Sequence, residues 1–244
     1  MKIGFIGDIH ANLAALTSVL SYLRTEKCTK IICLGDIVGY GPRPQECVDL
    51  IRALQIPTVM GNHDDWIGTY LRLAGTSDHV RDMIIWTKKQ LTPESVAWLK
   101  ALPLRDSYGG IDFTHSSNCP DNKYWPYVRD LPSLAENFRH QKSPICFYGH
   151  THRPAFGVFR EGEQPYFAKL ESVMHIPTGY KVLINPGSVG QPRDGDPRAA
   201  CAIYNTKDQT VHFIRVEYDI KRTQDEMTLA GLPEPYIKRL LKGT

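Results

Sequence analysis

The sequence predicts a mixed α/β domain, and three observations support this prediction. Apolar strand-like segments alternate with helical patterns through the first half of the chain. Short β-branched segments separated by Gly, Pro or Asn fill much of the second half. The 244 residues are 42% hydrophobic and 23% charged, which is the composition of a globular protein with a core. We therefore expect one domain over residues 1–244.

The first half of the chain repeats a strand, a loop and a helix. The segment KIGFIG predicts a buried strand, and leucines at helical spacing predict a helix from Asn12, its expected N-cap, to Arg24. KIICLG and a helix over about residues 44–54 repeat the pattern, followed by IPTVMG and a helix that starts near Asn62. These units predict parallel strands packed between helices.

The middle of the chain predicts a helical insertion at about residues 64–101, with Thr92 as the N-cap of its last helix. A hairpin through Gly109 and Gly110, a helix over 131–140 and the strand PICFYG follow. Strand patterns at 155–159, 166–173, 182–185, 200–204 and 211–216 suggest a second, largely antiparallel sheet. Residues 222–241 predict two short helices broken at Pro233 and Pro235.

Charge and cysteine content exclude several classes of function. The formal charge is +3 and basic residues form no cluster, so we expect no stable nucleic-acid binding. The first apolar run is interrupted by Asp8 and His10, which makes it too short for a signal peptide or a membrane span. The six cysteines form no CxxC pair, which argues against a thiolate zinc site or a disulfide framework. We predict a cytoplasmic protein without a membrane partner, and no pattern indicates its oligomeric state.

Polar residues of one chemical class follow five predicted strands. They are Asp8 and His10, Asp36, Asn62 and His63, His115, and His150, and we expect His152 to join them from the strand that follows. In open α/β sheets, the loops at the carboxyl ends of strands gather around one crevice. The sequence therefore predicts that these side chains converge on a single site.

These residue types indicate a site for two divalent metal ions. Carboxylate, imidazole and amide donors suit Mn²⁺ or Fe²⁺, with Zn²⁺ or Ni²⁺ as alternatives. Seven candidate ligands exceed the need of one ion. Two ions about 3.5 to 4 Å apart would clamp a phosphate and hold a hydroxide for in-line attack. Asp36, which is isolated between the other clusters, is the expected bridging carboxylate.

The motifs GDIHAN, GDIVGYGP, GNHD, FTHS and GHTH, in this order over residues 7–152, resemble those of the calcineurin-like metallophosphoesterase superfamily. The resemblance implies two facing mixed β-sheets flanked by helices, an αββα sandwich. It also implies two sets of metal ligands. The first is Asp8, His10, Asp36 and His152, and the second is Asp36, Asn62, His115 and His150.

The resemblance leaves His63 without a metal, beside the substrate. This position suits a general acid that protonates the departing oxygen, an effect worth about 10²- to 10⁴-fold. The alternative is a histidine at a helix start, next to the possible caps Asp64 and Asp65. We also considered that Asp64 orients His63.

The motif details favour a small phosphate ester or nucleotide as the substrate. Protein Ser/Thr phosphatases of this superfamily typically have an Asp-Arg-Gly after the bridging Asp and a GNHE motif. At the corresponding places this chain has Gly39-Tyr40-Gly41 and GNHD, so it does not resemble them there. The short chain is similar to compact prokaryotic phosphodiesterases. We expect attack of a metal-bound hydroxide on a phosphodiester or pyrophosphate bond.

Two alternative functions and the role of Arg193 stay open. Aromatic residues from Tyr124 to Tyr127, with Trp125 between them, would stack on a nucleobase in a dinucleoside polyphosphate hydrolase. Arg193, in a turn similar to one that approaches the metal site in small members of the superfamily, would contact a phosphate or lie in solvent. From another class, a retromer subunit with the same fold is a non-catalytic scaffold that has lost the acid histidine, whereas this chain retains His63.

Overall fold

The structure, a computed structural model, describes residues 1–68, 78–120 and 125–244. Its described strands form two sheets. They are β1 (Lys2–Ile6), β2 (Lys30–Cys33), β3 (Arg105–Tyr108), β4 (Ile111–Thr114), β5 (Ile145–Phe147), β6 (Ala155–Phe159), β7 (Tyr166–Phe167), β8 (Val173–His175), β9 (Lys181–Asn185), β10 (Ala199–Asn205) and β11 (Thr210–Val216). The sheet orders are β2-β1-β10-β11-β8 and β3-β4-β5-β9-β6-β7.

Both sheets are mixed. In the first, β1 pairs in parallel with β2 and antiparallel with β10. In the second, β4, β5 and β9 are parallel neighbours, while β3 and β6 run antiparallel to theirs. The prediction of two facing mixed sheets flanked by helices is therefore confirmed.

The expectation of a separate antiparallel sheet in the second half was wrong. The late strands divide between the two sheets, because β10 joins β1 whereas β9 joins β5. The predicted strand 166–173 also splits into β7 and β8, which belong to different sheets and flank an exposed polar stretch. Periodicity identifies the buried face of a strand and carries no information about its partner.

The IPTVMG segment makes only a single parallel bridge, between Cys33 and Thr58, and not a full strand. Its backbone nevertheless runs beside β2, with Val59 N–H donating to Cys33 O at 3.1 Å. The segment therefore still delivers the following residues to the same edge as the end of β2.

The described helices flank the sheets. They are α1 (Leu13–Thr25), α2 (Pro44–Ala53), α3 (Asn62–Gly68), α4 (Asp78–Lys89), α5 (Pro93–Lys100), α6 (Leu131–His140), α7 (Ile220–Leu229) and α8 (Glu234–Lys242). Asn12 and Thr92 accept N-cap hydrogen bonds as predicted. Pro233 precedes α8, but Pro235 lies in its first turn, where a missing N–H costs nothing. Residues 69–77 of the predicted insertion lie outside the described residues, and the insertion stays a prediction.

One hydrophobic core lies between the sheets. The rings of Phe5 on β1 and Phe147 on β5 stack with their centroids 3.5 Å apart. A second cluster packs the inner faces of α1 and α2 against the outside of the first sheet, and α6 covers the second sheet. Among the described residues, no helix is both long and apolar enough to cross a membrane.

Candidate metal centre

The predicted ligands lie in loops at one edge of the two sheets. Asp8, Asp36, His115 and His150 follow β1, β2, β4 and β5, and Asn62 begins α3. His152 lies in the turn before β6, so the expectation that it comes from the following strand was wrong. All seven candidate ligands are at least 94% buried; their exposed fractions are Asp8 0%, His10 1%, Asp36 1%, Asn62 3%, His115 0%, His150 6% and His152 2%.

The backbone of these loops is strained. Left-handed φ angles occur at Asp8 (50°), His10 (47°), Asp36 (52°), His150 (67°) and His152 (58°). Such a conformation costs a non-glycine residue about 1 to 3 kcal/mol and persists only where its surroundings fix it. Five strained residues in one cluster are typical of a functional site.

Hydrogen bonds between the loops fix this conformation. Asp8 N–H donates to Gly35 O at 3.0 Å, and His10 N–H donates to Asp36 O at 2.9 Å. The N–H of His150 donates to both oxygens of the Asp8 carboxylate at 3.1 Å. The loops therefore hold one another in place.

Asp64 holds the Asp36 loop. Its buried carboxylate accepts hydrogen bonds from the N–H groups of Asp36 (2.8 Å), Ile37 (3.0 Å) and Gly61 (3.0 Å). Val38 N–H lies 3.4 Å from the same carboxylate. These donors occupy the carboxylate, so the idea that Asp64 orients the His63 side chain was wrong. Asp64 positions the backbone that carries Asp36.

The first donor group consists of Asp8, His10, Asp36 and His152, whose ligand atoms lie within 4.8 Å of one another. The Nδ1 atoms of His10 and His152 lie 3.1 Å from Val38 O and 2.6 Å from Gln191 O. A carbonyl accepts only from N–H, so both histidines carry their proton on Nδ1. Their Nε2 lone pairs then face each other at 3.0 Å, an arrangement that a cation would stabilise.

The second donor group consists of Asp36, Asn62, His115 and His150. Asp36, His115 and His150 bring ligand atoms within 4.8 Å of one another. His115 Nδ1 donates to Leu34 O at 2.8 Å, and its Nε2 faces Asn62 Oδ1 at 3.2 Å and Asp36 Oδ2 at 3.4 Å. His150 differs, because its Nε2 contacts Trp125 O at 2.9 Å and leaves Nδ1 as the donor atom. Both donor groups thus fit a divalent cation, and they share Asp36.

Burial sets the charge of most histidines here. It holds the pKa values of His10 and His152 well below the usual range and lowers the pKa of His150 to about 3. Neutral imidazole is the form that binds metals. His115 is the exception: burial opposes its protonation, but Asp36 raises its pKa to about 9.

A cleft of about 230 Å³ opens onto both donor groups. Its lining residues are Asp36, Tyr40, Asn62, His63, Trp66, Trp125, Tyr127, His150, His152 and Arg193. His63 lies in the wall, and its backbone N–H donates to Asp36 Oδ1 at 2.8 Å. Its Nδ1 is buried without a hydrogen-bond partner among the described residues. A Cβ on Gly39 would lie 2.3 Å from this atom, so glycine there makes room for the imidazole.

Aromatic rings surround His63 and His150. The His63 ring lies 4.6 Å from Tyr40 and 4.8 Å from Trp66, centroid to centroid. Tyr127 stacks on His150 at 4.1 Å. Tyr40 and Trp66 were not predicted as site residues, although both lie inside or next to the motifs that identified the metal ligands. Tyr124 lies outside the described residues.

Residues 1–209 match the sequence profile of the calcineurin-like phosphoesterase superfamily domain. The chain belongs to this superfamily. A metallophosphoesterase from Sphaerobacter thermophilus has a similar structure, with a TM-score of 0.86 and 42% identity over 100% of this chain and 99% of that one. A hypothetical protein from Pyrococcus horikoshii shares the fold at a TM-score of 0.81 and 24% identity, covering 100% and 98% of the two chains.

Curated relatives agree with this assignment. An uncharacterized protein from Methanocaldococcus jannaschii is 38% identical over 99% of this chain and 98% of its own length. Phosphodiesterase YfcE of Escherichia coli is 25% identical over 81% of this chain and 84% of its own length. Membership of the calcineurin-like superfamily, together with the buried Asp and His donors, indicates a phosphoesterase that binds divalent metal.

Proposed function

We propose that this protein is a dimetal-dependent phosphoesterase that hydrolyses a phosphodiester or pyrophosphate bond in a small substrate. The observation that supports this proposal best is the pair of donor groups that share Asp36 below a cleft lined by His63. When bound there, two divalent ions would neutralise phosphate charge and lower the pKa of a water molecule. The oxygen and nitrogen donors suit Mn²⁺ or Fe²⁺ best, with Zn²⁺ or Ni²⁺ as alternatives.

His63 is the proposed general acid. Its backbone N–H donates a hydrogen bond to the Asp36 carboxylate, while its ring lines the cleft beside Tyr40 and Trp66. Burial lowers the pKa of His63 to about 4, so the free protein holds a neutral ring near pH 7. A phosphate that enters the cleft favours the protonated form, because an anion nearby raises the pKa of a histidine. The protonated ring then donates its proton to the departing oxygen.

The cleft walls favour an aromatic or nucleoside group on the substrate. Trp66, Trp125 and Tyr127 offer ring faces or edges around the cleft, and base stacking on such rings contributes about 1 to 3 kcal/mol per base. The similarity to phosphodiesterase YfcE supports a phosphodiester. The aromatic walls support a second candidate of the same class, a dinucleoside polyphosphate hydrolase.

The proposed function is tested with metal-stripped protein restored with Mn²⁺. Wild type and His63→Ala are assayed on bis(p-nitrophenyl) phosphate, p-nitrophenyl phosphate and diadenosine tetraphosphate. We expect metal-dependent turnover of a diester or pyrophosphate that falls about 10²- to 10⁴-fold in His63→Ala, with bound metal unchanged. No turnover with Mn²⁺, Fe²⁺, Zn²⁺ or Ni²⁺ would contradict the enzyme and favour a protein-interaction scaffold.

A second variant displaces His63 without removing it. Gly39→Ala places a Cβ against His63 Nδ1 at a position with φ +92°, so we expect impaired turnover. Gly109→Ala is the matched control, because it creates similar backbone strain at φ +59° with nothing within 4 Å of the new Cβ. Equal activity in both variants would show that turnover does not depend on the position of the His63 ring.

A further inference from the structure

Several buried hydrogen-bond donors around the cleft lack partners. Among the described residues, His63 Nδ1, Trp125 Nε1, Gln191 Nε2 and Arg193 Nε are buried without one. Of these residues, His63, Trp125 and Arg193 line the cleft. Buried polar groups are nearly always hydrogen-bonded, so an unpaired set around one cavity indicates a ligand. Because these nitrogens can all donate, that ligand carries acceptor oxygens.

Arg193 forms a pair with Arg239 of α8. The Nη2 of Arg193 donates to Gln191 Oε1 at 3.0 Å, and Nη1 of Arg239 approaches the same oxygen at 3.4 Å. Each guanidinium also lies over a tyrosine ring, Arg193 over Tyr40 at 5.8 Å and Arg239 over Tyr236 at 5.5 Å. In the part of the chain that the structure describes, neither arginine has a carboxylate partner.

The acidic residues that follow Arg193 in the sequence form ion pairs with other arginines. Asp194 pairs with Arg215, and Asp196 pairs with Arg198 at 2.6 Å. Arg193 and Arg239 thus share one neutral oxygen, and burial together with the Arg193 charge lowers the pKa of Arg239. Asp8 lies within electrostatic range of Arg193, but neither arginine forms an ion pair among the described residues, and two adjacent half-buried cations favour an anion between them.

The pair lies on the His63 side of the cleft. Tyr40 connects them, because its ring is 4.6 Å from the His63 ring and 5.8 Å from Arg193 Cζ. Under the proposed function, His63 protonates the leaving group. An anion held by the arginines would therefore belong to the leaving group and not to the phosphate under attack.

We propose that Arg193 and Arg239 form an anion subsite for a phosphate of the leaving group, which makes an organic pyrophosphate such as a dinucleoside polyphosphate the preferred substrate class. This inference rests on the proposed function. In the reaction, a water oxygen bonds to the attacked phosphorus and releases a proton to solvent. The bond from that phosphorus to the bridging oxygen breaks, and the departing phosphate keeps the electron pair and takes the proton of His63. Arginine suits this role because its planar fork binds phosphate oxygens in pairs.

The test compares two substrates in the Mn²⁺-restored protein. Diadenosine tetraphosphate carries a phosphate in its leaving group, whereas bis(p-nitrophenyl) phosphate does not. For Arg193→Gln and Arg239→Gln we expect kcat/KM on diadenosine tetraphosphate to fall about 10- to 100-fold, mainly through KM. The ratio of this kcat/KM to that on bis(p-nitrophenyl) phosphate should fall at least about tenfold. Arg193→Lys should recover part of the loss, since it keeps the charge without the fork.

Lys238→Gln is the matched control, because it removes an exposed cation one residue before Arg239 on the same helix. It should leave the ratio unchanged. Equal loss on both substrates in the arginine variants would overturn the subsite, since the arginines would then act on the attacked phosphate. No loss on either substrate would overturn it as well.

A binding measurement separates this inference from the proposed function. Pyrophosphate is titrated into metal-free wild type, Arg193→Gln, Arg239→Gln and Lys238→Gln by calorimetry. We expect binding at least about tenfold weaker in the two arginine variants than in wild type or Lys238→Gln. If wild type hydrolyses nothing, the proposed function fails, and this comparison still decides the subsite: equal affinities in all four proteins would overturn it.

Discussion

Each donor group contains two histidines and the shared carboxylate of Asp36, but the histidines of the two groups are fixed in different ways. In the first, the Nδ1 atoms of His10 and His152 both donate to backbone carbonyls, at 3.1 and 2.6 Å. In the second, His115 is fixed in the same way, while His150 contacts Trp125 O through Nε2 and stacks on the half-exposed ring of Tyr127. The second group therefore depends on the Trp125–Tyr127 segment, whereas the ring beside the first group is that of Tyr40, which packs edge-on against His10 at 4.8 Å.

This difference predicts unequal metal affinities. Hydrogen bonds to ligand histidines set the tautomer and the ring orientation, and their loss typically costs about 10- to 100-fold in metal affinity. The residues that hydrogen-bond to the histidines are buried in both groups, Trp125 included, but the ring that stacks on His150 is 43% exposed. We expect the first group to bind its ion more tightly than the second.

The largest expected effect comes from Asp36→Ala, which removes the carboxylate that both groups share. We expect both ions to be lost and turnover to fall to background, because each group loses the carboxylate that would bind its ion. Metal content after equilibrium dialysis against Mn²⁺ measures this. Asp49→Ala, an exposed carboxylate on α2, serves as the control. One ion retained in Asp36→Ala would show that Asp36 does not bridge.

His10→Ala and His150→Ala separate the groups. We expect each variant to lose one ion, and His10→Ala to lose the tighter one in a Mn²⁺ titration. Turnover should fall strongly in both, since the proposed reaction needs both ions. His175→Ala, on the exposed strand β8, is the control for removing an imidazole. Loss of both ions in each variant would mean that the groups bind as one cooperative unit.

The sequence pattern predicted that the ligands converge on one site, and the family resemblance implied which of them belong to each group. Each ligand follows an apolar strand or begins a helix, and the ends of neighbouring strands converge in any sheet of this kind. The sequence could not predict that β10 pairs with β1 or that the late strands divide between two sheets. The β1–β10 pairing joins residues about two hundred positions apart. The alternation of apolar residues along a strand is the same whichever sheet the strand joins.

The residues that support the ligands were harder to predict. Asp64 was noticed as a possible partner of His63, whereas its carboxylate accepts backbone hydrogen bonds from the Asp36 loop. Arg239 carried no motif, and the turn that contains Gln191 drew attention only to Arg193. Both positions follow from how α8 and the turn at 191 fold back. Roles that depend on which backbone N–H a side chain meets require three-dimensional coordinates.

Asp64→Asn tests whether support of the Asp36 loop matters to both groups. One carboxylate oxygen becomes an NH₂ that faces backbone N–H donors, so the loop should shift and Mn²⁺ affinity should fall about 10- to 100-fold in both groups. The control is Asp112→Asn, because Asp112 also accepts a backbone N–H, from Ser143 at 3.1 Å, away from the cleft. An effect confined to one group would show that Asp64 supports only that side of Asp36.

The smallest effect, and the sharpest test of the comparison, belongs to Tyr127→Ala. An aromatic stacking pair contributes about 0.5 to 1.5 kcal/mol, so removing the ring over His150 should weaken the second ion about 2- to 12-fold and leave the first ion unaffected. The measurement is the two stepwise Mn²⁺ dissociation constants. They are compared in wild type, Tyr127→Ala and the exposed control Tyr166→Ala. If only the weaker constant changes, the weaker ion is the one bound by His150. If the tighter constant changes instead, our order of the two affinities is reversed, because Tyr127 touches only the second group.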